Sequence, residues 1–154
     1  NDETGIAVAG THGKTTTSSM MSSVMLDLDP TIVVGGILPE IGSNAKPGKS
    51  EYFVAEADES DNSFLYMNPS YAVITNIEED HLDTHGCLEN INKSFSQFID
   101  QTKNEAVVCI DCENLKKLVE GKEKEKIVTY SIKIKMQIYL LMIFVLKMEK
   151  QALM

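Results

Sequence analysis

Ile6-Ala7-Val8-Ala9-Gly10-Thr11-His12-Gly13-Lys14-Thr15-Thr16, running on into Ser18-Ser19-Met20-Met21, is an apolar strand, a glycine-flanked turn and the start of a helix. A strand that ends in such a turn and opens a helix aims several backbone N–H groups at one point. The positive end of the helix dipole points there too, so an anion is favoured. Lys14 adds a point charge, and Thr15 adds a hydroxyl of the kind that touches a phosphate-bound magnesium. The stretch predicts a nucleotide-phosphate loop of Gly10, Thr11, His12, Gly13, Lys14, Thr15 and Thr16, rather than an ordinary turn. Its spacing is not the general one: two residues separate Gly10 from Gly13 where four are usual, and Val8 stands five before Gly13.

Two segments further along extend this reading. Tyr52-Phe53-Val54-Ala55-Glu56-Ala57-Asp58-Glu59-Ser60-Asp61 begins as a buried strand and ends in carboxylates. Tyr71-Ala72-Val73-Ile74-Thr75-Asn76 is a second apolar strand, followed by Ile77-Glu78-Glu79-Asp80-His81-Leu82-Asp83. In a parallel sheet these strand ends share one edge with the phosphate loop, where open α/β sheets bind their ligands. Lys14, Thr15, Glu56 and His81 are thereby expected to converge around a metal-bound triphosphate. His81 and His85 are four apart and would share a helical face, but no third soft ligand stands nearby to complete a zinc site.

Apolar runs of four to six residues alternate with helical stretches along the chain, the pattern of βαβ units. The expected fold class is α/β, a mostly parallel sheet with flanking helices. A helix over about 14–28 places Met21, Met25 and Leu28 in the core, with Pro30 ending it. Another over about 88–101 places Ile91, Phe95, Phe98 and Ile99 on one packing face. Gly35 to Gly48, with four glycines and two prolines, reads as a long irregular loop between strands.

A length of 154 residues with 43% apolar content suits one α/β domain. The balance of 23 acidic to 14 basic side chains argues against a nucleic-acid surface. Three cysteines and no secretory segment suggest a cytoplasmic protein without a disulfide framework. Cys109-x-x-Cys112 lacks the second pair that a zinc ribbon needs. The run Ile138 to Leu146 is nine apolar residues, too short for a membrane span of about 20.

The ordered motifs G-T-H-G-K-T-T, E-A-D-E-S-D and T-N-I-E-E-D-H-L-D resemble the Mur ligases, and the likeness covers about Gly5 to Tyr130. It implies the phosphate-loop central domain of that family, here residues 1–130, using ATP and Mg2+. The resemblance further implies a reaction in which ATP phosphorylates a substrate carboxylate to an acyl phosphate, which an amino-acid amine then attacks. His12 and Ser60 point to the branch that joins L-alanine to UDP-N-acetylmuramate; the alternatives are the branch that attaches a whole tripeptide, or a fragment that binds nucleotide without catalysis.

Carried over by motif, Lys14 is the phosphate lysine, and Thr15, Glu56 and His81 are the metal ligands. Oxygen preference alone would rank Asp80 or Asp83 above His81. Asp58, Glu59, Asn76 and Asp80 are expected to fix the loops, and Ser43 and Asn44 to lie near the sugar-nucleotide substrate. Lys14→Ala is expected to abolish nucleotide binding with little loss of folding.

The family's N-terminal UDP-sugar domain and C-terminal ligase domain are expected to be missing. All 14 basic residues are lysine, so an arginine for substrate or γ-phosphate would have to come from such a domain. Residues 131–154 are expected to form a tail outside the likeness, frameshifted or disordered.

Overall fold

The structure is a computed structural model that describes residues 3–79 and 85–133. Among these, seven strands form one sheet: β1 (Thr4–Ala9), β2 (Thr31–Leu38), β3 (Ser43–Lys46), β4 (Tyr52–Glu56), β5 (Tyr71–Ile74), β6 (Glu105–Cys109) and β7 (Ile127–Tyr130). Their order is β3-β2-β4-β1-β5-β6-β7, and every pairing is parallel except β2 with β3. The described residues include the helices α1 (Lys14–Met25), α2 (Leu88–Gln101) and α3 (Glu113–Val119).

β1 lies in the middle of the sheet and is apolar on both faces, which is why it reads as a continuous run rather than an alternation. Ile6 and Val8 face one layer with Met25 of α1, Val54, Val73 and Val107. Ala7 and Ala9 face the other, where Ile91, Phe95, Phe98 and Ile99 of α2 pack with Phe64. The small residues Ala7, Ala9 and Ala72 leave room there for the Phe64 ring, whose centroid is 5.3 Å from Phe95 and 5.0 Å from Phe98. Phe98→Ala is expected to cost about 3–5 kcal/mol, read as a lower denaturant midpoint at unchanged slope.

α2 spans the residues that its periodicity predicts. α1 ends at Met25, and a single 3₁₀ turn, Leu26–Leu28, completes the stretch expected as helix. Met21 and Leu28 are half-buried against the same core as Met25.

The expected loop Gly35–Gly48 is corrected. β2 runs through Gly35 and Gly36 to Leu38, turns, and returns as β3, with Leu38 opposite Ser43 and Val33 opposite Ala45. Leu38 drives this extension by burying itself beside Ile32 and Val34. Asp29 ties the far end: Lys46 donates to its carboxylate, and the N–H groups of Lys49 and Ser50 donate to its carbonyl at 3.1 and 3.2 Å. The Lys46 hydrogen bond, foremost, holds the Asp29 carboxyl below its usual range.

Candidate functional site

The carboxyl ends of β1, β2, β4 and β5 share one edge because those strands are parallel. From β1 the chain proceeds through α1 to the β2 side of the sheet, and from β5 through α2 to the β6 side. The loop after β1 therefore sits where the winding reverses, the usual ligand crevice of such folds.

Gly10 leaves β1 at φ 138°, and a Cβ there would stand 2.0 Å from Thr75 Oγ1 and 3.1 Å from Asn76 backbone atoms. Only glycine allows the chain to pass so close to the end of β5. Gly13, at φ 83°, then turns the chain into α1.

The β5 exit holds the loop open in this shape. The Asn76 carboxamide accepts from His12 N–H at 2.8 Å and donates to His12 C=O at 2.8 Å. Thr75 Oγ1 also donates to His12 C=O, at 2.7 Å, and Thr11 N–H donates to Asn76 C=O at 3.0 Å. Thr11 Oγ1 accepts from Glu78 N–H at 2.9 Å. The His12 ring is exposed, its Nε2 3.5 Å from Glu78. Tied down on this side, the loop has its remaining backbone groups available to an anion at the start of α1.

Thr15 and Glu56 are brought together. The Thr15 hydroxyl donates to Glu56 Oε1 at 2.9 Å. Glu56 Oε2 accepts from Gly35 N–H at 2.7 Å and from Ser18 Oγ at 3.3 Å. A Cβ on Gly35 would lie 2.7 Å from that carboxylate and one on Gly36 2.9 Å from the Thr15 methyl, so the Gly-Gly pair in β2 serves the close approach of the backbone to Glu56 and Thr15. Two hard oxygens side by side at the loop fit Mg2+, whose other positions are commonly filled by phosphate and water. Among the described residues no group of three His, Cys, Asp or Glu side chains could hold a metal on its own.

Lys14 reaches across the loop. Its Nζ donates to Gly10 C=O at 2.8 Å and to both Glu59 oxygens, at 3.0 and 2.8 Å. Glu59 is buried, at 2% exposure. That pairing amends the expectation for Lys14→Ala: removing the lysine strands a buried carboxylate, so folding is affected as well as binding.

His81, Asp80 and Asp83 lie outside the described residues. His85 is buried with its Nε2 2.8 Å from Glu59 C=O, which commits that ring nitrogen to a backbone contact. Ser43 begins β3 opposite Leu38, at the same sheet edge as the phosphate loop, and its hydroxyl accepts from Ala45 N–H at 3.2 Å. Asn44 is exposed beside it. Cys109 and Cys112 are free thiols, and Cys112 Sγ contacts the backbone of Ile77. Among the described residues no helix is long and apolar enough to cross a membrane.

Gly35, Ser18 and Thr75 take part without having been given a role in the sequence, whereas His85, considered there only as a zinc partner of His81, contacts Glu59 instead. Of these only Gly35 carried a signal, a glycine pair directly after an apolar strand.

A mostly parallel sheet with a glycine-flanked loop at its switch point, and a hydroxyl and a carboxylate beside that loop, is the architecture of a P-loop-type α/β domain. The Mur ligase middle domain matches residues 8–152, and the chain belongs to the Mur ligase family.

The chain is 75% identical over 134 residues to the UDP-N-acetylmuramate–L-alanine ligase of Fusobacterium nucleatum, covering 86% of this chain and 29% of that protein. It is 54% identical over 124 residues to the ligase of the same name from Desulforamulus reducens, covering 78% of this chain and 27% of the relative. It thus spans less than a third of either.

Among solved structures, the UDP-N-acetylmuramate-alanine ligase of Thermotoga maritima superposes with a TM-score of 0.73 at 32% identity, over 86% of this chain and 30% of that one. The UDP-N-acetylmuramate:L-alanyl-γ-D-glutamyl-meso-diaminopimelate ligase of Neisseria meningitidis gives 0.75 at 28% identity, over 84% and 46%.

Proposed function

We propose that this chain is the ATP-binding portion of a UDP-N-acetylmuramate–L-alanine ligase, acting in the cytoplasm on small molecules and forming an amide bond through an acyl phosphate. The 75% identity to the Fusobacterium enzyme carries the choice of amino acid. The pairing of Thr15 with Glu56, beside Lys14, carries the choice of cofactor.

In this reading the N–H groups of Gly13 to Thr16, which Asn76 leaves free, and the Lys14 ammonium neutralise charge on the phosphoryl group in transfer, the main demand of the reaction. Thr15 and Glu56, with His81 proposed as a third ligand, hold the Mg2+ of bound ATP. When bound, that ion offsets the negative charge shared between the outer phosphates. Asn76 and Thr75 keep the loop in register, so the ordering of His12 is complete before a ligand arrives. Ser43 and Asn44 are proposed to face the UDP-sugar from the β2–β3 hairpin. The rest of the enzyme, including any arginine, belongs to the parts of the relatives that this chain does not span.

Glu56→Gln keeps the shape and removes the charge from the metal pair. It is expected to weaken Mg2+-dependent ATP binding about ten- to a hundredfold and to leave the weaker metal-free binding in place, as read by titration with and without Mg2+. A variant that still gains as much affinity on adding Mg2+ as the wild type does contradicts the metal assignment.

A further inference from the structure

Lys14 is expected to serve the outer phosphates, yet its ammonium has no donor to spare. Its hydrogen bonds to Gly10 C=O and to the two Glu59 oxygens match the three N–H groups that an ammonium carries. The side chains are only 13% and 3% exposed, so water screens the pair poorly.

Glu59 is also fixed in place. Ala57 N–H donates to Val8 C=O at 2.8 Å, Asn62 N–H donates to Glu59 C=O at 3.2 Å, and the His85 ring meets that same carbonyl at 2.8 Å. The other carboxylate at the loop, Glu56, is held by Thr15, Ser18 and Gly35. Among the described residues Glu59 is the ionic partner of Lys14.

We propose that Glu59 is a positioning residue that parks Lys14 across the phosphate loop, and that a polyphosphate binds by exchanging one anion for another on the ammonium. The proposal rests on the phosphate-loop reading above and adds a competitor to it. A buried carboxylate loses part of its compensation whenever the lysine turns to a ligand, so the observed affinity is the difference between two charged contacts. The exchange favours ligands that present several charges at once. It also keeps the ammonium hydrogen-bonded when no ligand is there.

The test uses the whole chain with inorganic triphosphate and Mg2+ as probe, by calorimetry, and with nitrogen-labelled lysine, by NMR of the ammonium groups. In the ligand-free wild type, Lys14 is expected to give a slowly exchanging ammonium signal that moves on adding triphosphate. Glu59→Gln is expected to lose that signal in the free state and to bind magnesium triphosphate about tenfold more tightly. Glu59→Asp, which keeps the charge but shortens the reach, is expected to resemble Glu59→Gln.

Unchanged or weaker binding in Glu59→Gln overturns the exchange, and so does wild-type affinity in Glu59→Asp, which would reduce Glu59 to a general repulsion. If neither variant folds, the wild-type signal decides: a Lys14 ammonium already averaged with the exposed lysines in the free chain overturns the proposal. Failure of the wild type to bind triphosphate, with the protected Lys14 signal present, contradicts the phosphate-loop reading instead.

Discussion

Lys14→Ala is expected to abolish binding of magnesium-ATP and to cost about 3–5 kcal/mol of stability at the same time. The binding loss follows from removing the only side-chain cation that the structure places at the loop among the described residues. The stability loss follows from Glu59, which is left buried without its partner. Calorimetric titration and denaturant unfolding on the same sample separate the two effects. The double variant Lys14→Ala/Glu59→Gln is expected to recover most of the stability and none of the tight binding, because a neutral carboxamide is far cheaper to bury than a stranded charge. A Lys14→Ala protein as stable as the wild type contradicts the buried pair, whatever happens to binding.

Gly10→Ala is expected to be nearly as disruptive to the site, by a different route. The added methyl would enter space held by Thr75 Oγ1, at 2.0 Å, and the backbone φ of 138° is foreign to alanine. Relief requires that the end of β1 move away from the end of β5, breaking the contacts of Thr11 and His12 with Thr75 and Asn76. The expected cost is about 2–4 kcal/mol from strain and overpacking, with loss of ATP binding although every charged group is still present. Tight ATP binding by Gly10→Ala would mean that the loop tolerates a shape other than the one described.

The phosphate loop was legible because its chemistry is local: glycines, a lysine and a threonine at fixed spacing between a strand and a helix. α2 was legible because Ile91, Phe95, Phe98 and Ile99 repeat at helical intervals and nothing else competes for that face. The β2–β3 hairpin was not. Gly35-Gly36 reads as a break, and Ser43-Asn44-Ala45-Lys46 has no apolar alternation, so edge pairing and the burial of Leu38 decide the structure there. The Lys14–Glu59 pair was hidden for another reason. The two residues are 45 positions apart, and although Glu59 was expected to fix a loop together with Asp58, nothing in the acidic run says which of them the fold buries: it buries Glu59 and exposes Asp58. Gly35 illustrates the same limit, since its service to Glu56 depends on β2 and β4 being adjacent.

Gly10 to Thr16 are proposed to form a triphosphate site with Thr15 and Glu56 as its metal pair. The decisive measurement is NMR mapping of backbone amides in the whole chain, titrated with magnesium-ATP to millimolar concentration. Saturable shifts centred on the amides of Gly10 to Thr16, reaching Gly35 through the Glu56 carboxylate and reduced when Mg2+ is withheld, are expected. A folded chain whose shifts leave that loop untouched, or fall elsewhere, contradicts that proposal.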